Sequence, residues 1–128
     1  MKTDCKWHNL IEALEGNCIP DGPGVYYVKR EWPVNRICGP DPSGLLYIGS
    51  TDALKRRLGL FRGSALDGSE GHVAGQKYNK WGYDPFLAPL SELKVRWEET
   101  DNPGSDEDVA KQKYTRTFHE LPPLNGQQ

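Results

Sequence analysis

Cysteine is scarce in this 128-residue chain, and long apolar runs are absent. The three cysteines are an odd number without paired spacing, so we expect no full disulfide framework and a reducing, cytoplasmic compartment. No apolar run approaches the ~20 residues that a membrane-spanning helix needs. The first residues also lack the apolar stretch of a signal peptide. The sequence therefore predicts a protein without a membrane partner.

Motifs that mark several enzyme classes are also absent. The chain has no Gly-x-Ser-x-Gly, no HExxH and no phosphate-binding P-loop. Cys5 and His8 have CxxH spacing, with Cys18 and Cys38 far downstream. A structural zinc site usually has tighter pairs, such as two CxxC units, so these residues do not predict zinc.

Charge of one sign does not dominate the chain. Sixteen Lys and Arg against 18 Asp and Glu give a net charge of -2, which excludes a uniformly basic domain. The distribution is uneven, because segment 29–80 has nine Lys and Arg against five Asp and Glu, whereas segment 98–108 has six acids and no base. Both segments are either solvated surface or, for the first, a surface for nucleic acid.

Glycine and proline are plentiful, with 14 and 10 residues, which indicates many turns rather than a helical bundle. The length predicts a single domain over 1–128. The predicted element order is α-β-β-α-α-β-α, an α/β (α+β) domain. We expect a small, mostly antiparallel sheet of at least three strands with helices on both sides.

Hydrophobic periodicity and turn residues set the predicted boundaries. They give helices over 7–15, from 51 to about 62, over 72–81 and over 105–119, strands over 24–28, 45–49 and 93–97, and loops over 31–44 and 63–71. Ser50 or Thr51 is the expected N-cap of the second helix, and segment 102–104 is expected to be a turn. The first two strands are expected to pair as an antiparallel hairpin with a long connection.

A tyrosine lies close to a glycine on each strand of this hairpin, in segments 24–26 and 47–49. Arg57 follows eight residues after the second segment, on the next predicted helix. Arginine can form bidentate hydrogen bonds with phosphate, and a tyrosine hydroxyl donates or accepts a hydrogen bond. The alternative is that Tyr26 and Tyr47 only pack on the sheet and that Arg57 is solvated.

These residues resemble the GIY-YIG nuclease domain, which occurs in phage homing endonucleases, in the incising subunit of bacterial excision repair and in some restriction enzymes. The resemblance spans about residues 20–126, after an N-terminal helical segment 1–19. The matching segments are Gly24-Val25-Tyr26, Leu46-Tyr47-Ile48-Gly49-Ser50-Thr51, Leu54-Lys55-Arg56-Arg57-Leu58 and Leu121-Pro122-Pro123-Leu124-Asn125.

The resemblance implies a role for each matching residue. Tyr26 corresponds to the tyrosine that activates water, and Tyr47 to the one that positions the nucleophile and phosphate. Arg57 corresponds to the arginine that stabilises the phosphate during attack, and Asn125 to the asparagine that braces the site. His72 falls where several members have a histidine, and the alternative for it is a partly exposed surface histidine.

The chain departs from the family pattern in two places. Segment 32–43 is an insertion, either a flap that contacts DNA or a partner, or a tolerated surface loop. The family also holds one Mg²⁺ or Mn²⁺ on a glutamate of the last helix, and that position is Lys111 here. Lysine cannot ligate such an ion. Three explanations stay open: Glu107 supplies the carboxylate one turn earlier, the helix register differs, or the site is inactive.

The resemblance implies a DNA endonuclease that hydrolyses phosphodiester bonds with a divalent metal. The second hypothesis is a module of the same fold that binds nucleic acid or protein without cleavage. Specificity would come from the chain's own loops, a homodimer or a partner protein. The side chains expected to contact DNA are Lys55, Arg56, Arg62, Lys77 and Lys80.

Overall fold

The computed structural model describes residues 3–81 and 89–125 and has an α+β fold, as predicted. This part of the chain contains six strands and four helices. In order they are β1 (Thr3–Asn9), α1 (Leu10–Glu15), β2 (Gly24–Lys29), β3 (Val34–Arg36), β4 (Gly39–Asp41), β5 (Leu45–Thr51), α2 (Leu54–Asp67), α3 (Val73–Trp81), β6 (Lys94–Glu99) and α4 (Pro103–Phe118). Single 3-10 turns lie at Leu90–Glu92 and Pro123–Asn125. No helix in these two ranges is both long and apolar enough to cross a membrane.

The main sheet has four antiparallel strands in the order β1-β6-β2-β5. The predicted hairpin is confirmed, because β2 pairs with β5 in a register that sets Tyr26 opposite Gly49 and Val28 opposite Tyr47. Because side chains alternate along a strand, Tyr26 and Val28 share one face and Val25 shares the other with Tyr27.

Helices cover both faces of the sheet, as predicted. The larger core contains Tyr26, Val28 and Leu46 from the sheet, with side chains of α1, α2 and α3 packed on them. The smaller core on the opposite face joins Val25 and Ile48 to Tyr114 of α4. Each of the two faces of β2 is therefore buried, which fixes the register of the strand that carries Tyr26.

The N-terminal prediction was wrong in part. The apolar spacing of segment 7–15 indicated one helix, but β1 continues to Asn9 and the helix begins at Leu10. Asn9 caps α1, because its Oδ1 accepts a 3.0 Å hydrogen bond from the Glu12 N–H. The preceding residues pair with β6 instead, and the His8 ring stacks on Trp97 with the ring centroids 4.9 Å apart.

The insertion was predicted as a loop, but the structure contains the short hairpin β3–β4 there. This hairpin is anchored to the domain. Val34 is buried in the larger core, and the buried Asp41 accepts hydrogen bonds from the Ser43 N–H at 2.9 Å and from the Tyr114 hydroxyl at 2.7 Å. Burial and Asp41 together raise the pKa of Tyr114.

Three helix boundaries also differ from prediction. α2 runs through Gly63 to Asp67 and ends at Gly68, whose φ of 76° is the left-handed conformation that suits glycine. Its N-cap residue is Ala53, not Ser50 or Thr51, and the Leu54 N–H is satisfied by the Gly22 carbonyl at 2.9 Å. α4 begins at Pro103, inside the predicted turn, as proline favours the first helical turn.

Candidate functional site

The fold brings four of the predicted site residues together at one end of the larger core. Tyr26 lies on β2, Tyr47 on β5, Arg57 on α2, and His72 immediately before α3. The ring centroids of Tyr26 and Tyr47 are 5.9 Å apart, and that of His72 lies 6.2 Å from Tyr26 and 5.4 Å from Tyr47. Two phenols and an imidazole thus form one cluster, with a guanidinium beside it.

Gly49 leaves the space that these rings occupy. A Cβ atom at Gly49 would lie 2.5 Å from Tyr26 Cζ, 2.6 Å from Tyr26 Oη and 2.7 Å from Tyr47 Cε2. Such distances are shorter than any normal contact, so a side chain here would displace both tyrosines. Glycine is therefore required at position 49 because the two rings leave no room for a side chain, and not because the backbone turns there.

His72 is a buried residue, and the surface alternative for it is wrong, because only 1% of it is exposed. Its Nε2 lies 2.7 Å from the Tyr26 hydroxyl, and its Nδ1 accepts a 3.3 Å hydrogen bond from the Gly75 N–H. Burial, together with the positive charge of Arg57, lowers the pKa of His72 to about 3. The ring is neutral at pH 7, and because Nδ1 accepts, we assign its proton to Nε2, which donates to Tyr26.

The two tyrosines differ in exposure. Tyr26 is fully buried, whereas Tyr47 is half-buried and reaches the edge of the cluster. Burial raises the pKa of Tyr26, with Tyr47 adding to the rise and Arg57 opposing it. Burial also raises the pKa of Tyr47, with the Glu107 charge adding to the rise, whereas Arg57, Lys111 and a hydrogen bond with Tyr26 oppose it. Both phenols are therefore protonated at neutral pH and act as hydrogen-bond donors.

Arg57 is half-buried and held against the segment before α3. Its Nη1 donates a 2.9 Å hydrogen bond to the Gly71 carbonyl, which leaves other N–H groups of the five on a guanidinium for a ligand. Within residues 3–81 and 89–125, no carboxylate forms an ion pair with Arg57. A fixed cation without a carboxylate partner is suited to an anion such as phosphate.

Glu107 of α4 also lies at this site, next to the motif of β5. One of its carboxylate oxygens accepts a hydrogen bond from the Ser50 hydroxyl, and the other pairs with the Lys111 ammonium. Glu107 and Lys111 lie one helical turn apart and form an ion pair. The Glu107 side chain is 18% exposed and the Lys111 side chain is 30% exposed. Because both oxygens are engaged, one of them by a cation, this carboxylate as arranged does not fit a divalent ion.

Asn125 braces β5 through its side-chain carboxamide. Its Oδ1 accepts a hydrogen bond from the Ile48 N–H and its Nδ2 donates to the Ile48 carbonyl, both at 2.8 Å. Ile48 lies between Tyr47 and Gly49, so the carboxamide fixes the backbone of the second motif.

The five cationic residues predicted to contact DNA lie on two helices that pack together. Lys55 and Arg56 are exposed at the start of α2. Arg62 lies further along α2, and Lys77 and Lys80 lie on α3. Arg56 forms a weak surface ion pair with Asp52 at 3.5 Å, and Arg62 forms one with Glu15 at 3.9 Å. The adjacent residue Arg57 connects this surface to the tyrosine cluster.

The described residues contain no group of three His, Cys, Asp or Glu side chains that could hold a metal ion. Cys18 and Cys38 are exposed free thiols. The contact of Ser50 with Glu107 was not predicted, since Ser50 was expected only as a helix cap and as part of the second motif. Strand alternation carried the signal, because Ser50 follows Ile48 by two residues and so shares the face that α4 covers.

Comparison with models of protein families, with curated proteins and with solved structures finds no match to this chain.

Proposed function

We propose that this chain binds DNA and hydrolyses a phosphodiester bond, as a domain of the GIY-YIG nuclease type. One observation carries the proposal: Tyr26, Tyr47, His72 and Arg57, which were selected from separated sequence segments, form one cluster with a cation at its edge. A phosphodiester needs fixed donors for its oxygens as negative charge develops during attack. Hydroxyl and guanidinium groups supply such donors.

The hydrogen bonds suggest how the cluster acts. His72 Nε2–H donates to Tyr26, and a hydrogen bond with Tyr26 opposes the rise in the pKa of Tyr47, the more exposed of the two tyrosines. A chain of donors polarises its last member. Tyr47 and Arg57 would contact the phosphate directly, and Tyr26 and His72 would position Tyr47 from inside. This differs from the direct, water-activating role that the resemblance implies for Tyr26.

In the proposed reaction, water attacks phosphorus and the opposite P–O ester bond breaks. The water proton and the proton needed by the leaving oxygen exchange through solvent. Arg57 and Tyr47 stabilise the charge on the phosphate oxygens during this step. We route no step through a metal, because Ser50 and Lys111 occupy both oxygens of Glu107.

The cationic side chains of α2 and α3 support DNA as the partner. Lys55 and Arg56 precede Arg57 on the same helix, so a backbone bound at the cluster would continue along them. The cytoplasm is the compartment that we propose. A homodimer or a partner protein would supply sequence specificity, since phosphate contacts carry none.

Nicking of supercoiled plasmid tests the proposal. The reactions contain Mg²⁺, Mn²⁺ or EDTA, and compare the natural chain with Arg57→Ala and with the control Arg116→Ala on the exposed side of α4. We expect slow nicking by the natural chain and by the control, and its loss in Arg57→Ala. The proposal would be wrong if the natural chain does not nick DNA under any of the three conditions.

A second candidate function is DNA binding without cleavage. The ion pair of Lys111 with Glu107 favours it, because a single ammonium stabilises a phosphate less than a divalent ion does. Gel-shift binding with no nicking in any metal would select this candidate.

A further inference from the structure

The pair formed by Glu107 and Lys111 is built into the site and is more than a surface contact. An exposed pair one helical turn apart usually contributes little. Here the Glu107 carboxylate also accepts the Ser50 hydroxyl from β5, so residues of two elements fix its orientation. Ser50 directly follows Gly49, which makes room for the two tyrosine rings. The ammonium is therefore held beside the motif residues by a carboxylate that cannot easily rotate away.

Lys111 and Arg57 approach the cluster from different helices. Arg57 is on α2 and Lys111 is on α4, and both positive charges act on the Tyr47 hydroxyl, where they oppose the effect of Glu107 on its pKa. The Tyr47 hydroxyl thus has two cations and one carboxylate in its neighbourhood. A phosphate diester carries one negative charge, which this arrangement can neutralise without another ion.

We propose that the Lys111 ammonium takes the place of the divalent cation at this site, so that the natural chain contacts phosphate without a metal. The inference rests on the proposed function for the identity of its ligand, but its central claim concerns cation binding alone. An ammonium has one charge and three donors and is not a Lewis acid. Cleavage by the natural chain should therefore be slow, while DNA binding is the same in Mg²⁺ and in EDTA.

The decisive experiment measures Mn²⁺ binding without DNA, by the loss of the electron paramagnetic resonance signal of free Mn²⁺. The chains compared are the natural one, Lys111→Gln, Lys111→Glu and the double variant Lys111→Glu with Glu107→Gln. Lys113→Glu is the matched control, because Lys113 is exposed on the same helix two residues away. Lys111→Gln keeps the inference testable if two adjacent carboxylates destabilise the fold, and thermal unfolding checks each variant.

We expect the natural chain and Lys113→Glu to show no saturable Mn²⁺ site. Lys111→Glu should bind Mn²⁺ at least ~10-fold more tightly than the upper limit measured for the natural chain, since it removes a positive charge and adds an oxygen ligand. Lys111→Gln should gain a weaker site, and the double variant should lose most of the gain. The inference is overturned if the natural chain binds Mn²⁺ as tightly as Lys111→Gln, or if Lys111→Glu gains no more than Lys113→Glu.

This result is independent of nuclease activity. Failure of the natural chain to nick DNA would leave the Mn²⁺ comparison unchanged, and a natural Mn²⁺ site on Glu107 would overturn the inference while leaving the proposed nuclease intact. A second readout is the affinity for a DNA duplex in Mg²⁺ and in EDTA at equal ionic strength. Equal affinities support the inference, and a marked gain in Mg²⁺ contradicts it.

Discussion

Asn125 pairs with Ile48 through both ends of its carboxamide, with two hydrogen bonds of 2.8 Å to the backbone N–H and carbonyl. Asn125→Ala should therefore lower the free energy of unfolding by about 1–3 kcal/mol, because it leaves two backbone groups of β5 without partners. Chemical denaturation measures the change. Asn102→Ala is the control, since the Asn102 side chain makes no cap hydrogen bond and lies exposed. Equal stability of the two variants would contradict a bracing role.

Gly49→Ala should destabilise the domain by about 1–3 kcal/mol, the usual range for overpacking a core. The added methyl would lie within 2.7 Å of both Tyr26 and Tyr47. Gly59→Ala in α2 is the matched control, because a Cβ there meets nothing within 4 Å. It should raise stability by about 0.5–1 kcal/mol, as alanine favours the helix. Thermal unfolding of both variants gives the comparison, and a neutral Gly49→Ala would show that the rings can move apart.

The element types on either side of the site followed from the sequence, because their patterns are local. The alternation and β-branched residues around Tyr26 and Tyr47 predicted two strands, and their antiparallel pairing is confirmed. The N-terminal segment failed because Trp7 and Leu10 have helical spacing, although the strand pairing of β1 with β6, 85 or more residues away in sequence, governs segment 3–9. Periodicity alone cannot include a partner that distant.

The arrangement within the site was predictable only in part. The motif placed Tyr26, Tyr47 and Arg57 together, and the spacing of four residues placed Glu107 near Lys111. The sequence could not predict that His72 would be fully buried, because its burial depends on the packing of α3 against α2. Gly63 indicated the end of α2, yet the helix continues because Ser64 and Ala65 are buried in the next turn.

The unfolding free energy should depend on pH through His72. Its pKa is about 3 in the folded protein against about 6.5 when unfolded, so the unfolded chain binds the proton more readily between these values. The stabilisation is thus fully present above pH 6.5 and is lost as pH falls toward 3, by up to about 1.4 kcal/mol per pH unit. Urea denaturation at several pH values measures the slope. His72→Gln should have a shallower slope, and an unchanged slope would mean that the imidazole is charged or exposed in the fold.

DNA affinity should depend on the cationic residues at the start and middle of α2. Reversing Lys55, Arg56 and Arg62 to Glu should weaken binding to a duplex and flatten its salt dependence, because fewer counterions are released. Fluorescence anisotropy between about 50 and 200 mM salt covers the sensitive range. Lys113→Glu with Arg116→Glu, on exposed positions of α4, is the control. If the loss per reversed charge is the same for both variants, α2 has no special role in DNA binding.

The last prediction ranks the residues of the cluster by their effect on nicking. Arg57→Ala and Tyr47→Phe should each reduce the rate by at least ~10²-fold, the scale for losing a donor to developing charge. Tyr26→Phe should cost less, because Tyr26 is fully buried and acts through Tyr47. Tyr27→Phe is the control, since Tyr27 is adjacent in sequence but faces the opposite side of the sheet, where it lies under Arg96.

If the natural chain nicks too slowly to measure, the same ranking should hold in Lys111→Glu with Mg²⁺. A Tyr26→Phe rate below that of Tyr47→Phe would instead support the direct, water-activating role for Tyr26, and would require the buried hydroxyl to become accessible when DNA binds.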